Sequence, residues 1–90
     1  MNKITIRVRI TGRVQGVCYR IWTVEYATSF GLSGWVRNRM DGSVEAIFCG
    51  NQKKIDEMVE ALYQGPSAAL VTFMTFNYEK INVKPGFKKI

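Results

Sequence analysis

Asp41-Gly42 stands between two runs of strand-forming residues, Gly34 to Met40 on one side and Ser43 to Gly50 on the other. The pair tolerates the left-handed dihedrals of a tight hairpin, so the runs read as antiparallel strands joined by a type I′ turn. In the returning strand Val44, Ala46 and Phe48 face one way, and Ser43, Glu45, Ile47 and Cys49 the other. Residues 3–11, KITIRVRIT, add a strand of the same kind. Ile4, Ile6, Val8 and Ile10 alternate there with Thr5, Arg7, Arg9 and Thr11, which is the period of a half-buried strand.

From about Tyr19 to Phe30 the period turns helical, with Trp22, Tyr26 and Phe30 at i, i+4 and i+8 and Thr23 and Ala27 alongside. That stripe reads as core rather than as a stacking surface for a ligand, and Gly31 as the helix stop. Asn51 is placed to cap a second helix over 53–64, where Ile55, Met58, Val59 and Leu62 share one face. Burying each of these side chains is worth about 1.5–3 kcal/mol before the entropy of ordering is subtracted. Gly65-Pro66 ends that helix, a strand follows from about Leu70 to Tyr78, and the tail INVKPGFKKI adds a short edge strand. The order is strand, helix, strand, strand, helix, strand. It specifies an α+β, ferredoxin-like βαββαβ sandwich, a four-stranded antiparallel sheet with two helices on one face. At 90 residues, one domain spanning 1–90 is expected. This fold hosts many functions, so the activity has to be read from the side chains.

Composition narrows the chemistry. The chain has no histidine, which removes His-based triads, Cys/His dyads and histidine metal sites. Cys18 and Cys49 form no C-x-x-C unit and are too few for a structural zinc site or a disulfide framework. No metal and no cofactor are expected. No stretch approaches the roughly 20 apolar residues of a membrane span. The start, MNKITIRVRI, lacks the apolar block of a secretory signal. The chain therefore reads as cytoplasmic, with reduced thiols and no membrane partner.

The segment richest in chemistry is Gly12-Arg13-Val14-Gln15-Gly16-Val17-Cys18-Tyr19-Arg20, between the first strand and the first helix. A glycine-bearing loop entering a helix aims several backbone N–H groups at one spot, where the helix dipole favours an anion. Arg20, in the first turn, adds a permanently charged fork to the same place. A cation there opposes the helix dipole, which a purely structural arginine has little reason to do. On spacing alone, an anion site and an ordinary glycine turn both remain open.

GRVQGVCYR resembles the signature loop of the acylphosphatase family. The family's second signature is similar to Gly34-Trp35-Val36-Arg37-Asn38, with Gly42, Val44 and Gly50 following at matching spacing. Two motifs, their separation and the element order cover nearly the whole chain. The C-terminal FKKI differs from the aromatic ending associated with the family. The resemblance implies a small, metal-free monomer that hydrolyses the mixed anhydride of a carboxylic acid and phosphate. It implies that Arg20 and the loop amides of Gln15, Gly16, Val17, Cys18, Tyr19 and Arg20 hold the phosphoryl group, as they would inorganic phosphate or a similar anion. It implies that Asn38 holds the attacking water. The leaving carboxylate has a conjugate acid of pKa about 4 and departs without a general acid.

Plainer readings stand beside these. Cys18 lies two residues before Arg20, unlike a phosphatase nucleophile, and reads as a small packed residue. Cys49 reads as structural. Asn38 in a strand is disfavoured, and without the motif it would be a polar residue near a hairpin end. Ser43 is placed to support Asn38 or a water, although turn chemistry alone explains it. Arg39, Lys53, Lys54, Lys84, Lys88 and Lys89 read as surface charge. A net charge of +6 suits single-stranded RNA as well as an acyl phosphate. However, the first strand has no aromatic and the third only Phe48, so no specific nucleic-acid partner is expected. A third reading, a phosphate-binding domain without hydrolytic activity, is countered by the presence of both Arg20 and Asn38.

Overall fold

The alternation at the start of the chain forms β1 (Lys3–Arg13), whose Ile6, Val8 and Ile10 are buried. The computed structural model describes residues 3–90; Met1 and Asn2, the start of the expected domain, lie outside the described residues. The remaining elements are α1 (Tyr19–Ser29), β2 (Ser33–Asn38), β3 (Val44–Asn51), α2 (Gln52–Gln64), β4 (Leu70–Tyr78) and β5 (Phe87–Lys89). β1 runs antiparallel between β3 and β4, and β2 pairs antiparallel with the far side of β3. The tail strand β5 joins parallel to β2, so the sheet has five strands in the order β4-β1-β3-β2-β5. The fold is the expected α+β, ferredoxin-like one, with the antiparallel four extended by a short parallel edge.

Both helices lie on the face carrying Val8, Ile10, Val36, Val44, Ala46 and Phe48, and α2 inserts Ile55, Met58 and Leu62 there. Asn51 caps α2 as expected, its side chain accepting from the N–H of Lys53 at 2.9 Å. α1 differs from its expected orientation. Its buried residues are Tyr19, Thr23 and Ala27, one position round from the aromatic stripe. The small Thr23 and Ala27 let the helix approach the sheet. Trp22, Tyr26 and Phe30 form a ladder along its flank, with ring centroids 4.4 and 6.2 Å apart; Trp22 and Phe30 pack against the core as expected, and Tyr26 is 41% exposed.

The hairpin forms, but not through a two-residue type I′ turn. That geometry needs positive φ at both central residues, and Asp41 does not have it. The last β2–β3 pair is Asn38 with Val44, and the loop between them is closed by the N–H of Gly42 on the carbonyl of Arg39 at 3.2 Å. The Asp41 carboxylate accepts from the N–H and hydroxyl of Ser43, at 3.0 and 2.6 Å. Those bonds, the hydroxyl's first, hold its carboxyl below the usual range. Ser43 is thus a brace within the turn rather than a support for Asn38.

On the opposite face of the sheet Glu45 is 6% exposed and is bonded by arginines from both neighbouring strands. Its carboxylate accepts from Arg7 of β1, from Arg37 of β2 at 2.7 Å and from Arg39 at 3.0 Å. Burial pushes this carboxyl upward, but the three guanidinium groups outweigh it and hold the group below its ordinary 4.5. A carboxylate with a lowered native pKa stabilises the fold fully above the unfolded value, and that contribution disappears as pH falls through the native one. Glu45→Gln is expected to lose about 1.5–3 kcal/mol in urea unfolding at pH 7. The gap from wild type should narrow as the pH is lowered below 4.5, and a gap constant down to pH 2 would break the link.

Candidate active site

Sheet register sets the site. Ile10 of β1 and Asn38 of β2 both pair with Val44, so they lie abreast across three strands, at one end of the sheet. The chain leaving β1 and the turn leaving β2 therefore emerge side by side. At Gly12 the pairing with β4 shifts register, and a Cβ there would collide with the carbonyl oxygen of Leu70. Gln15 ties the two connections together. Its side-chain amide donates both hydrogens across the gap, to the carbonyl oxygens of Arg39 at 2.8 Å and Ser43 at 2.9 Å.

The loop then coils into α1. Cys18 has φ of 65°, the one positive value outside glycine among the described residues. A left-handed backbone costs an L-residue about 1–2 kcal/mol. As the N-cap of α1, Cys18 makes no side-chain capping bond, and the first turn carries no acidic residue. The leading N–H groups of the helix therefore have no side-chain acceptor, which leaves the positive end of its dipole available to an outside anion. Tyr19 pins this end. Its ring packs on Gly65, and its hydroxyl donates to the carbonyl oxygen of Leu62 in the last turn of α2. Burial pushes that phenol well above its ordinary 10.

These elements enclose a cavity of about 110 Å³ lined by Val14, Gly16, Cys18, Tyr19, Arg20, Ile21, Asn38 and Lys89. Arg20 and Asn38, assigned from separate motifs, are thus brought together. Gly16, Cys18 and Tyr19 of the expected loop set also line the space. Gln15 and Val17 do not; the first turns to the hairpin and the second packs against the core. Arg20 makes one long contact, Nη1 to a main-chain oxygen of Ile90 at 3.4 Å. Asn38 Oδ1 is buried and has no hydrogen-bond partner.

Lys89 corrects the sequence reading, which took it as surface charge. It reaches the cavity because β5 pairs it with Val36, a contact between distant segments that local pattern does not reveal. The available signal was period two, since a strand reading of FKK puts Phe87 and Lys89 on one face. No acidic residue lines the cavity. It therefore offers a cradle for an anion, two cations and one unsatisfied acceptor, without a side chain suited to general-base work.

Likeness to known proteins extends over nearly the whole chain. Residues 6–89 match the family described as Acylphosphatase. The acylphosphatase of Rhodospirillum rubrum is 47% identical over 85 residues, 94% of this chain and 93% of that one. A solved acylphosphatase from Coxiella burnetii superposes with a TM-score of 0.95 at 31% identity, covering 99% of this chain and 94% of that one. The crystal structure of the Bacillus subtilis acylphosphatase superposes with a TM-score of 0.94 at 31% identity, covering 97% and 98%. With family match, identity and superposition all extending over nearly its full length, this chain belongs to the acylphosphatase family.

Proposed function

We propose that the chain hydrolyses the carboxyl–phosphate anhydride of acyl phosphates through a phosphoryl group held by Arg20 and the backbone N–H groups of residues 15–20, and a water held by Asn38. The observation that carries this reading is the buried, unpartnered Oδ1 of Asn38 in the same cavity as Arg20 and the start of α1. Leaving a buried acceptor unsatisfied costs about 1–3 kcal/mol, and a water donating to it removes that cost. The same oxygen then orients the water, so that its lone pair faces the phosphorus while Arg20 and the amides neutralise the three phosphoryl oxygens.

The chemistry matches what the cavity lacks. The carboxylate leaves as a weak base and needs no proton. The attacking water loses its proton to a phosphoryl oxygen, because an amide is too poor a base to take it. The P–O bond to the acyl oxygen breaks as the bond to water forms, giving carboxylate and inorganic phosphate with no phosphoenzyme. Gln15 acts by holding the loop against the hairpin turn. The cavity is lined by no histidine, Asp or Glu side chain, which supports hydrolysis without a metal or cofactor. The assignment extends to a single-domain monomer acting in the cytoplasm. A specific nucleic-acid role is disfavoured, because Glu45 occupies Arg7, Arg37 and Arg39 on the open face of the sheet.

Hydrolysis of benzoyl phosphate in the presence of EDTA tests the assignment. Wild type should turn over. Arg20→Ala should lose about 10²–10³-fold in kcat and bind inorganic phosphate more weakly. Asn38→Ala should lose a similar factor in kcat while keeping phosphate inhibition near the wild-type value. Full activity in either variant removes that residue from the mechanism. Cys18→Ser keeps the backbone N–H but removes the thiol, and should stay within about threefold of wild type. A loss on the scale of a missing nucleophile, about 10⁴-fold or more, would reinstate the thiol.

A further inference from the structure

We propose that Lys89 selects acyl phosphates whose acyl portion carries a second negative charge, such as the monoacyl phosphate of a dicarboxylic acid. The inference rests on the active-site reading above and extends it to the leaving group. Lys89 is held by the sheet rather than by a loose tail. It pairs with Val36, two residues before Asn38, and the next residue, Ile90, donates its N–H to the carbonyl of Val36 at 2.9 Å. Phe87, on the same face of β5, stacks on Phe48 with centroids 5.2 Å apart and fixes the roll of the strand. Lys89 consequently lines the cavity of Arg20 and Asn38, whereas Lys88 lines a separate cleft beside Trp35.

Depth separates the roles of the two cations. Arg20 is half-buried beside the amides at the start of α1, and Lys89 is exposed. A phosphoryl group seated on the amides and Arg20 must send its acyl substituent out through the mouth of a cavity of only about 110 Å³. There it meets Lys89 and Ile21, which is 53% exposed. None of the ion pairs among the described residues engages Lys89, and no Asp or Glu lines the cavity. The ammonium is thus available to a carboxylate or phosphate on the acyl chain, and the apolar Ile21 suits the chain between the two charges.

The test compares kcat/KM for succinyl phosphate, with an anionic acyl group, and benzoyl phosphate, with a neutral one. Lys89→Gln should lower the succinyl-to-benzoyl ratio about fivefold, the scale of one solvent-exposed ion pair. Lys89→Arg should preserve the ratio. Lys88→Gln, which removes the same charge outside the cavity, should also preserve it. In wild type, raising NaCl to about 0.5 M should shrink the preference through screening. Equal losses on both substrates would put Lys89 on the phosphoryl group and overturn the proposal, as would an unchanged ratio. Failure of the underlying reading looks different: wild type would hydrolyse neither substrate, or Arg20→Ala would hydrolyse both at the wild-type rate.

Discussion

The paired hydrogen bonds from the Gln15 amide to the carbonyls of Arg39 and Ser43 join the two connections from which the site is made. β1 and β2 are not neighbours; β3 lies between them, and strands are spaced about 4.8 Å apart. The loop after β1 and the turn after β2 therefore emerge about two strand widths apart. A planar amide with two donors can span that gap from one side. It also adds a second hydrogen bond to two turn carbonyls that already accept from the backbone N–H groups of Gly42 and Arg39. Beneath it, Glu45 fastens β1 and β2 to β3 on the opposite face through Arg7, Arg37 and Arg39. The distance between Arg20 and Asn38 is thus set by a sheet ladder and by braces on both faces, not by the flexibility of either loop.

Catalytic potential in this arrangement comes from bonds left unmade. Helices commonly begin with Ser, Thr, Asp or Asn, whose side chain occupies a leading N–H, at about 1 kcal/mol of stability. α2 follows that rule with Asn51, and α1 does not, beginning at a left-handed Cys18 without a side-chain cap. The strain at Cys18 and the missing cap both weigh against folding. They persist because Tyr19, buried and bonded to the end of α2, holds the start of α1 in place. Asn38 repeats the theme with a buried oxygen that no protein group satisfies.

Much of this was legible because it follows local rules. Alternation in KITIRVRIT, the Asn51 cap, the Gly31 and Gly65-Pro66 stops and the apolar face of α2 each depend on neighbours within one or two turns of chain. Most of the misreadings are non-local. The most buried face of α1 is decided by how closely Thr23 and Ala27 let it approach the sheet, so the Trp22 stripe sits at the margin, with Trp22 and Phe30 still against the core and Tyr26 exposed. Asp41-Gly42 signals a turn, but the Ser43 hydroxyl bonding back to Asp41 and the reach of Gln15 select a longer loop. Glu45 looks like an ordinary outward-facing carboxylate until Arg7 of β1, Arg37 of β2 and Arg39 of the hairpin loop converge on it. Lys89 depended on a parallel pairing of only three residues, below the length at which periodicity identifies a strand.

The distribution of charge explains how a basic chain keeps its positive potential where an anion can use it. On the open face of the sheet, Arg7, Arg37 and Arg39 are bonded to Glu45, Arg7 also to Glu79, and Arg9 lies near Asp41. Those arginines are largely spent in holding strands together. Arg20 and Lys89 enter no ion pair with an Asp or Glu among the described residues, and no Asp or Glu lines the cavity they share. Local cancellation on one face contrasts with the shared cavity, where Arg20 and Lys89 add their charges to attract an anion. Such a field draws in an acyl phosphate, but it also holds the anionic products. The exposed placement of Lys89 limits that cost, because an ion pair open to water is weak and the carboxylate it attracts departs as readily as it arrives.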